Sequence, residues 1–228
     1  MSVTTTSLTR AAGLSAAVAG LIFCTVQINH PAMEVASVTT TEWVIRNGLK
    51  FVMAVLALAG ITGMYLRQVR QIGILGLIGY LVFSAGYIVM LGIEFTATVV
   101  FPTLADTAPG YVNDVLTKAA GGTPAGDIGL MQTALSAEGV GYLAGGLLFG
   151  IALFRARVLA RWAAALLAIG TLATLALAVL PESFNRPLAI PTGVALIGLG
   201  ISLWRDQRHP QTAIADRTTV ALDQTAVR

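Results

Sequence analysis

The sequence predicts an all-α integral membrane protein, a bundle of about six transmembrane helices. Of its 228 residues, 56% are hydrophobic and only 11% are charged, whereas a soluble domain has about a quarter of its residues charged. Its long apolar runs are separated by shorter polar connections. In lipid, backbone polar groups must find partners within their own segment, so each apolar run is predicted to be a helix.

Six apolar runs are long enough to cross a bilayer. With a rise of about 1.5 Å per residue, each can span much or all of a hydrocarbon core about 30 Å thick. The third run is longer than needed, and tilting or extension beyond the interface would accommodate it. The bundle is predicted to occupy residues 1–205, followed by a polar, disordered cytoplasmic tail at 206–228. The runs are 11–28, 44–66, 72–101, 130–154, 158–180 and 188–204.

The basic residues predict the orientation of the bundle in the cell membrane. With the N-terminus inside, ten of the 14 Lys and Arg residues lie on the inner side and four in the outer half. By the positive-inside rule, both termini are therefore predicted to be cytoplasmic. The four outer residues are Arg46, Lys50, Lys118 and Arg186.

Several functional classes have no support in the sequence. The basic residues form no patch interleaved with aromatics, which argues against nucleic-acid binding. No phosphate loop, zinc-ligand pattern or catalytic triad is present, so no metal or cofactor is predicted.

His30 and Glu34 are four residues apart and would share a helical face if the first helix continued, but Pro31 disfavours that continuation. An interfacial histidine is the preferred interpretation.

The longest connection, 102–129, contains three prolines and several glycines. A short surface helix is predicted over 111–120, ended by Gly121 and Gly122. A connection of this length can be a lid or binding loop, and it can equally be a solvated linker. The sequence leaves both interpretations open.

Ionisable residues within the spans indicate the candidate site, because charge in a membrane is costly and often functional. Lys50 and Glu138 each lie 17 residues from a basic inner boundary, about 25 Å along a helix. Glu94 lies 24 residues from Arg70, nominally about 36 Å. The three are therefore predicted to converge near the outer leaflet.

Two interpretations of this charged group remain open. One is a structural ion pair that orients the helices. In the other, Lys50 neutralises one carboxylate while the second keeps its proton and acts as a general acid. Glu94 is the predicted proton donor, tuned by Glu138 or Lys50, because Phe95 and Tyr87 make its surroundings apolar. Glu94 and Glu138 are thus the candidate catalytic residues.

Aromatic residues near the charged group are candidate substrate contacts, because aromatic faces can stabilise a cation. Packing and interfacial anchoring are the usual roles of such residues in membrane helices and remain the alternative. Separately, Gly141, Gly145, Gly146 and Gly150 predict close contact between helices. The candidate substrate-binding residues are Lys50, Phe51, Tyr80, Phe83, Tyr87, Phe95 and Tyr142.

Two resemblances involve these segments. The sequence Glu94-Phe95, the stretch 99–105, the pair Ala108-Pro109 and the segment 147–161 together resemble a broad set of small bacterial multi-helix membrane proteins, which implies no activity. Glu94-Phe95 and Glu138 more distantly resemble the integral-membrane terpene cyclases of meroterpenoid and indole-terpenoid pathways. Those enzymes use membrane carboxylates to protonate an isoprenoid alkene or epoxide, and they usually have seven spans.

Three functions are compatible with the sequence. The first is a membrane enzyme that protonates a hydrophobic isoprenoid-type substrate drawn from the lipid. The second is a small-solute or proton-coupled transporter, which the scarcity of polar residues in the inner halves of the spans disfavours. The third is an accessory membrane protein without chemistry. Membrane lipid is the expected partner in each case, and assembly into an oligomer is compatible with all three.

Overall fold

The computed structural model describes residues 4–173, 175 and 185–206, and this part of the chain contains helices and no strand. The predicted all-α membrane bundle is confirmed. A π-helical segment, Thr96–Val100, joins α4 to α5. The α-helices are α1 (Thr5–Thr25), α2 (Val35–Val38), α3 (Thr41–Arg67), α4 (Val69–Phe95), α5 (Phe101–Thr107), α6 (Pro109–Ala119), α7 (Leu130–Ala156), α8 (Arg161–Ala173) and α9 (Asn185–Asp206).

Five helical stretches are long and apolar enough to cross a membrane: Thr5–Thr25, Thr41–Arg67, Val69–Thr107, Leu130–Ala156 and Arg186–Asp206. The predicted span at 158–180 corresponds to α8, which has 13 residues, and most of its remainder lies outside the described residues. The number of six spans and the cytoplasmic termini therefore stay predictions. The predicted tail also lies outside the described residues beyond Asp206, the last residue of α9.

The six longer helices form a closed ring in the order α1, α3, α4, α7, α8, α9, with α9 packed against α1. Arg67 and Asp206 form an ion pair between the ends of α3 and α9. Arg10, near the start of α1, lies over the ring of Trp204 in α9. We call this end of the bundle the terminal end.

Glycines allow the close approach of α7 to its neighbours, as the sequence predicted. A Cβ added at Gly86 would lie 2.8 Å from the carbonyl carbon of Gly141, so α4 and α7 meet backbone to backbone. Gly145 lies against the backbone of Phe83, while Gly146 and Gly150 face α8. Small residues on two faces of α7 thus let it contact both neighbouring helices, as packing in lipid favours.

The connection predicted over 102–129 is largely helical. The expected surface helix is confirmed as α6, but α5 was not expected, because Pro102 suggested the end of the third span. Pro102 occupies the first turn of α5, directly after the π-helical segment, so the helix continues past a residue that cannot donate a backbone hydrogen bond. With α2, these two helices form a cap over the opposite end of the bundle, which we call the cap end. Its buried apolar cluster comprises Val38, Trp43, Ala97, Phe101, Ala105, Val112, Val115, Leu116 and Ile128.

Candidate functional site

Lys50 of α3 and Glu94 of α4 lie together at the cap end. The Lys50 Nζ is 3.8 Å from Glu94 Oε1, and both side chains are largely buried. This separation permits an ion pair but is too long for a direct hydrogen bond. The same ammonium group donates a hydrogen bond of 3.0 Å to Asn47 Oδ1. Asn47 is itself buried and donates to the Trp43 carbonyl at 2.9 Å, which fixes the orientation of its amide.

The π-helical segment begins two residues after Glu94. A π-helix pairs residues five apart and often occurs at functional sites, because its wider turn displaces the backbone. Here Trp43 Nε1 donates a hydrogen bond of 2.9 Å to the Ala97 carbonyl, within the buried part of the cap. Thr98 Oγ1 donates to the Glu94 carbonyl at 2.7 Å. The Trp43 bond holds the end of α4 against α3, while the Thr98 bond satisfies the Glu94 carbonyl within the same segment.

Glu138 of α7 is half-buried near the same group. The charges of Glu94 and Lys50 both act on its carboxyl group. Within the described residues, however, neither an ion pair nor a hydrogen bond reaches this carboxyl. The three predicted residues therefore lie close enough for their charges to interact. Lys50 is paired with Glu94, and Glu138 has no direct partner among the described residues.

An aromatic cluster lies within the bundle beside Glu138. Tyr142 stacks parallel to Phe23 with ring centroids 6.4 Å apart, and Phe83 contacts both Tyr142 and Tyr87 at 6.0 and 5.1 Å. The charge of Glu138 acts on both tyrosines. Tyr87 is buried, and its hydroxyl has no hydrogen-bond partner in the part of the chain that the structure describes. Glu138 therefore lies beside an apolar region lined by aromatic rings, in which the Tyr87 hydroxyl has no partner among the described residues.

The remaining predicted substrate contacts divide into two groups. The rings of Phe51 and Phe95 lie beside Lys50 and Glu94, with their centroids 6.4 Å apart. The Phe95 side chain is 51% exposed on the outer surface of the bundle. The structure places Tyr80 apart from Lys50, Glu94 and Glu138. It lies 14 residues before Glu94, about 21 Å along the helix. Its ring stacks on that of Tyr65, with the two centroids 4.5 Å apart. The Tyr80 hydroxyl lies 3.3 Å from Thr62 Oγ1, so both of these contacts are with α3.

A second basic group borders the site and was not predicted. Arg186, at the start of α9, donates to Gln27 Oε1 at 3.4 Å, and its Nη2 lies 3.0 Å from His30 Nδ1. The same His30 nitrogen lies 2.8 Å from the Pro31 carbonyl. Arg46 of α3 pairs with Glu42 at 2.9 Å and also donates to the Ile28 carbonyl at 2.6 Å. These contacts hold the turn after α1, residues 26–30, between α3 and α9.

The possible metal pair of His30 and Glu34 is not formed on a helical face, because α1 ends at Thr25 and Glu34 caps the start of α2. Among the described residues, no group of three or more His, Cys, Asp and Glu side chains could hold a metal ion. Burial lowers the pKa of His30 to about 4, assisted by the nearby charges of Lys50, Arg186 and Arg46. The imidazole is therefore neutral near pH 7.

The sequence contained only weak indications of these additional residues. Asn47 lies one turn before Lys50, a spacing that places both side chains on one helical face. Arg186 and His30 are 156 positions apart, so their contact depends on the packing of α9 against α1. Comparison of the chain with protein-family models, curated proteins and solved structures found no match.

Proposed function

We propose that the protein is a membrane-embedded enzyme that protonates a hydrophobic, isoprenoid-type substrate and thereby initiates its cyclisation. One observation carries the proposal: the site contains two carboxyl groups and one lysine, and the lysine is paired with Glu94. A second carboxylate without a partner would be costly in this apolar setting. Glu138 is therefore assigned the protonated form, which makes it a general acid.

This assignment differs from the prediction made from sequence, in which Glu94 carried the proton. The sequence could not indicate which carboxyl group lies nearer to Lys50. The contact of 3.8 Å favours an anionic Glu94 that balances the ammonium group. Glu94 and Lys50 would then hold the charge of the site constant, while Glu138 exchanges its proton beside the aromatic cluster.

The reaction is balanced without a cofactor. The Glu138 O–H bond breaks as the π electrons of a substrate alkene form a new C–H bond, leaving a tertiary carbocation and a carboxylate. A second alkene of the same substrate attacks the cation and closes a ring. Loss of a proton from the final cation to the carboxylate restores the acid, so the product is an isomer of the substrate. The faces of Phe83, Tyr87 and Tyr142 would stabilise the cationic intermediates.

The experiment compares purified wild-type protein with Glu138→Gln and Glu94→Gln in detergent containing D₂O. Isoprenyl alcohols and prenylated aromatics are supplied, and products are identified by mass spectrometry. Wild-type protein should form cyclised isomers that carry one deuterium. Because general acids contribute about 10²- to 10⁴-fold, Glu138→Gln should lose at least 100-fold of the rate while remaining monodisperse.

Glu94→Gln serves as the matched comparison. It removes the anion but not the proposed proton donor, so it should retain measurable deuterium incorporation at a reduced rate. Full activity in Glu138→Gln would exclude that residue as the donor. If loss of activity occurs in Glu94→Gln alone, the original assignment is restored.

A proton-coupled carrier is the alternative that one observation favours. Besides Tyr87, the buried hydroxyl of Ser84 has no hydrogen-bond partner within the described residues. Unpaired hydroxyls inside a bundle are expected along a polar path. Wild-type protein that converts no isoprenoid, but moves a solute together with protons across liposome membranes, would establish this alternative and refute the enzyme.

A further inference from the structure

A groove lies on the outside of the bundle between α8 and α9 and reaches the terminal end. It has a volume of about 610 Å³, and its walls come from the turn before α8, the start of α8 and one face of α9. Along α9 the lining runs from Val194 to Arg205, eleven residues or about 16 Å. The apolar lining residues are Val158, Ala160, Trp162, Val194, Ile197 and Ile201.

Two contacts hold the walls of this groove in place. The Ala160 N–H donates a hydrogen bond of 2.9 Å to Ser202 Oγ, which fixes the turn before α8 against α9. Gly198 lets the Trp162 ring lie against α9, because a Cβ at that position would be 2.4 Å from Trp162 Cη2. Trp162 is nevertheless 59% exposed, and its indole N–H has no hydrogen-bond partner among the described residues. Tryptophan is enriched where membrane helices meet the polar interface.

Positive charge without a partner lies at the end of the groove. Arg205 lines the groove, is exposed, and forms no ion pair within the part of the chain that the structure describes. Asp206, a carboxylate in the same lining, is already paired with Arg67. Arg157 is a second exposed arginine without an ion pair among the described residues, and it directly precedes the lining residue Val158. The groove therefore combines an apolar length with a cationic end.

The C-terminal segment is a candidate occupant besides lipid, because residues 207–228 begin beside the groove. That segment contains three arginines and two aspartates, so its side chains offer no net negative charge to Arg205. A lipid with an anionic head group complements both parts of the groove, since basic pockets between membrane helices favour such head groups. Charge complementarity therefore favours the lipid.

We propose that the groove between α8 and α9 binds an anionic glycerophospholipid. One acyl chain lies along Val194, Ile197 and Ile201, and the phosphate accepts hydrogen bonds from the Arg205 guanidinium group. The aliphatic part of Arg205 can follow the groove while its charge stays at the interface. The site does not depend on the proposed catalytic function, because binding can be measured without turnover.

The first test is native mass spectrometry of the full-length protein in neutral detergent, titrated with dioleoylphosphatidylglycerol or dioleoylphosphatidylcholine. These probes share their chains and differ in head-group charge. We expect the anionic lipid to bind at least fivefold tighter. Arg205→Gln should weaken its binding about fivefold, the effect of one basic residue near a membrane surface. Arg70→Gln removes an exposed charge from α4 at the same end and should leave binding unchanged. Equal affinities for the two lipids, or equal losses in the two variants, would overturn the proposal.

The second test locates the lipid without changing its head-group contacts. Phosphatidylglycerol with brominated chains quenches tryptophan fluorescence on contact, so it should quench the wild-type protein at least twice as strongly as Trp162→Phe. Phenylalanine keeps an aromatic ring against Gly198 and removes only the reporter. Equal quenching in the two proteins would place the lipid elsewhere and refute the site. Absence of quenching in the wild type would leave the groove to residues 207–228 and would refute it as well.

Discussion

The two ends of the bundle use charge in different ways. At the terminal end, Arg67 Nε donates to Asp206 Oδ2 at 2.5 Å and Arg10 lies 5.6 Å from the centre of the Trp204 ring, so charged groups join α1, α3 and α9 where the helices end. At the cap end, Lys50 and Glu94 lie farther apart, inside the spans, and Glu138 and Arg186 have no ion-pair partner within the described residues. Tight pairing suits a structural connection, whereas incompletely paired charge is available to a ligand.

Neutralising one cation at each end tests this difference most strongly. Lys50→Met leaves the Glu94 carboxylate buried without its partner, and removing one member of a buried pair costs about 3–5 kcal/mol. Arg67→Met acts on a partly exposed pair and should cost at most about 1 kcal/mol. The free energy of unfolding of each variant, measured in mixed micelles with increasing amounts of denaturing detergent, gives the two costs.

The double variant Lys50→Met/Glu94→Gln provides the control for that measurement. It removes both charges and should recover a large part of the lost stability, as a coupled pair requires. Equal destabilisation by Lys50→Met and Arg67→Met would contradict the distinction between the two ends.

Glycine substitutions compare the packed middle of α4 with its cap end. A Cβ at Gly86 would meet the α7 backbone, whereas one at Gly92 would meet nothing within 4 Å. Gly86→Ala should therefore destabilise the bundle by about 1–3 kcal/mol through overpacking. Gly92→Ala should be neutral or stabilise it by up to about 1 kcal/mol, because alanine favours helix. Thermal unfolding of the two variants measures this, and a Gly92→Ala variant as unstable as Gly86→Ala would show that the cap end is equally tight.

The smallest expected effect is a pH dependence from His30. Its pKa is about 4 in the folded protein, against an ordinary value of 6.5, so between these values the unfolded chain binds more protons. Stability should therefore fall as the pH drops from about 6.5 to about 4 and change no further below that range. His30→Gln should flatten this part of the curve of unfolding midpoint against pH. A curve of the same slope in His30→Gln would assign the dependence to other groups.

The sequence was most informative where lipid imposes the structure. Apolar runs long enough to span predicted α1, α3, α4, α7 and α9, because backbone pairing in a membrane leaves few alternatives. Counting residues along straight helices predicted that Lys50 and Glu94 lie towards the same end of the bundle, where the structure pairs them. The small residues of α7 likewise predicted its close contacts.

Other features depended on information that a single sequence lacks. Tyr80 was grouped with the site because aromatic residues in a membrane helix look alike until their neighbours are known, and its neighbour is Tyr65. The contact of Arg186 with the turn after α1 required knowing that the ring closes between α9 and α1. Nothing in the composition of residues 96–100 distinguishes a π-helix from an α-helix, since the difference is one of hydrogen-bond register.

The π-helical segment makes the junction between the membrane bundle and the cap respond differently to deletion and to insertion. A π-helical turn holds one residue more than an α-helical turn, because its hydrogen bonds join residues five apart instead of four. Removing one residue from Thr96–Val100 would therefore let the segment close into an ordinary α-helix while α5 kept nearly the same face towards Trp43. This short segment should accept the loss of one residue more readily than the gain of another.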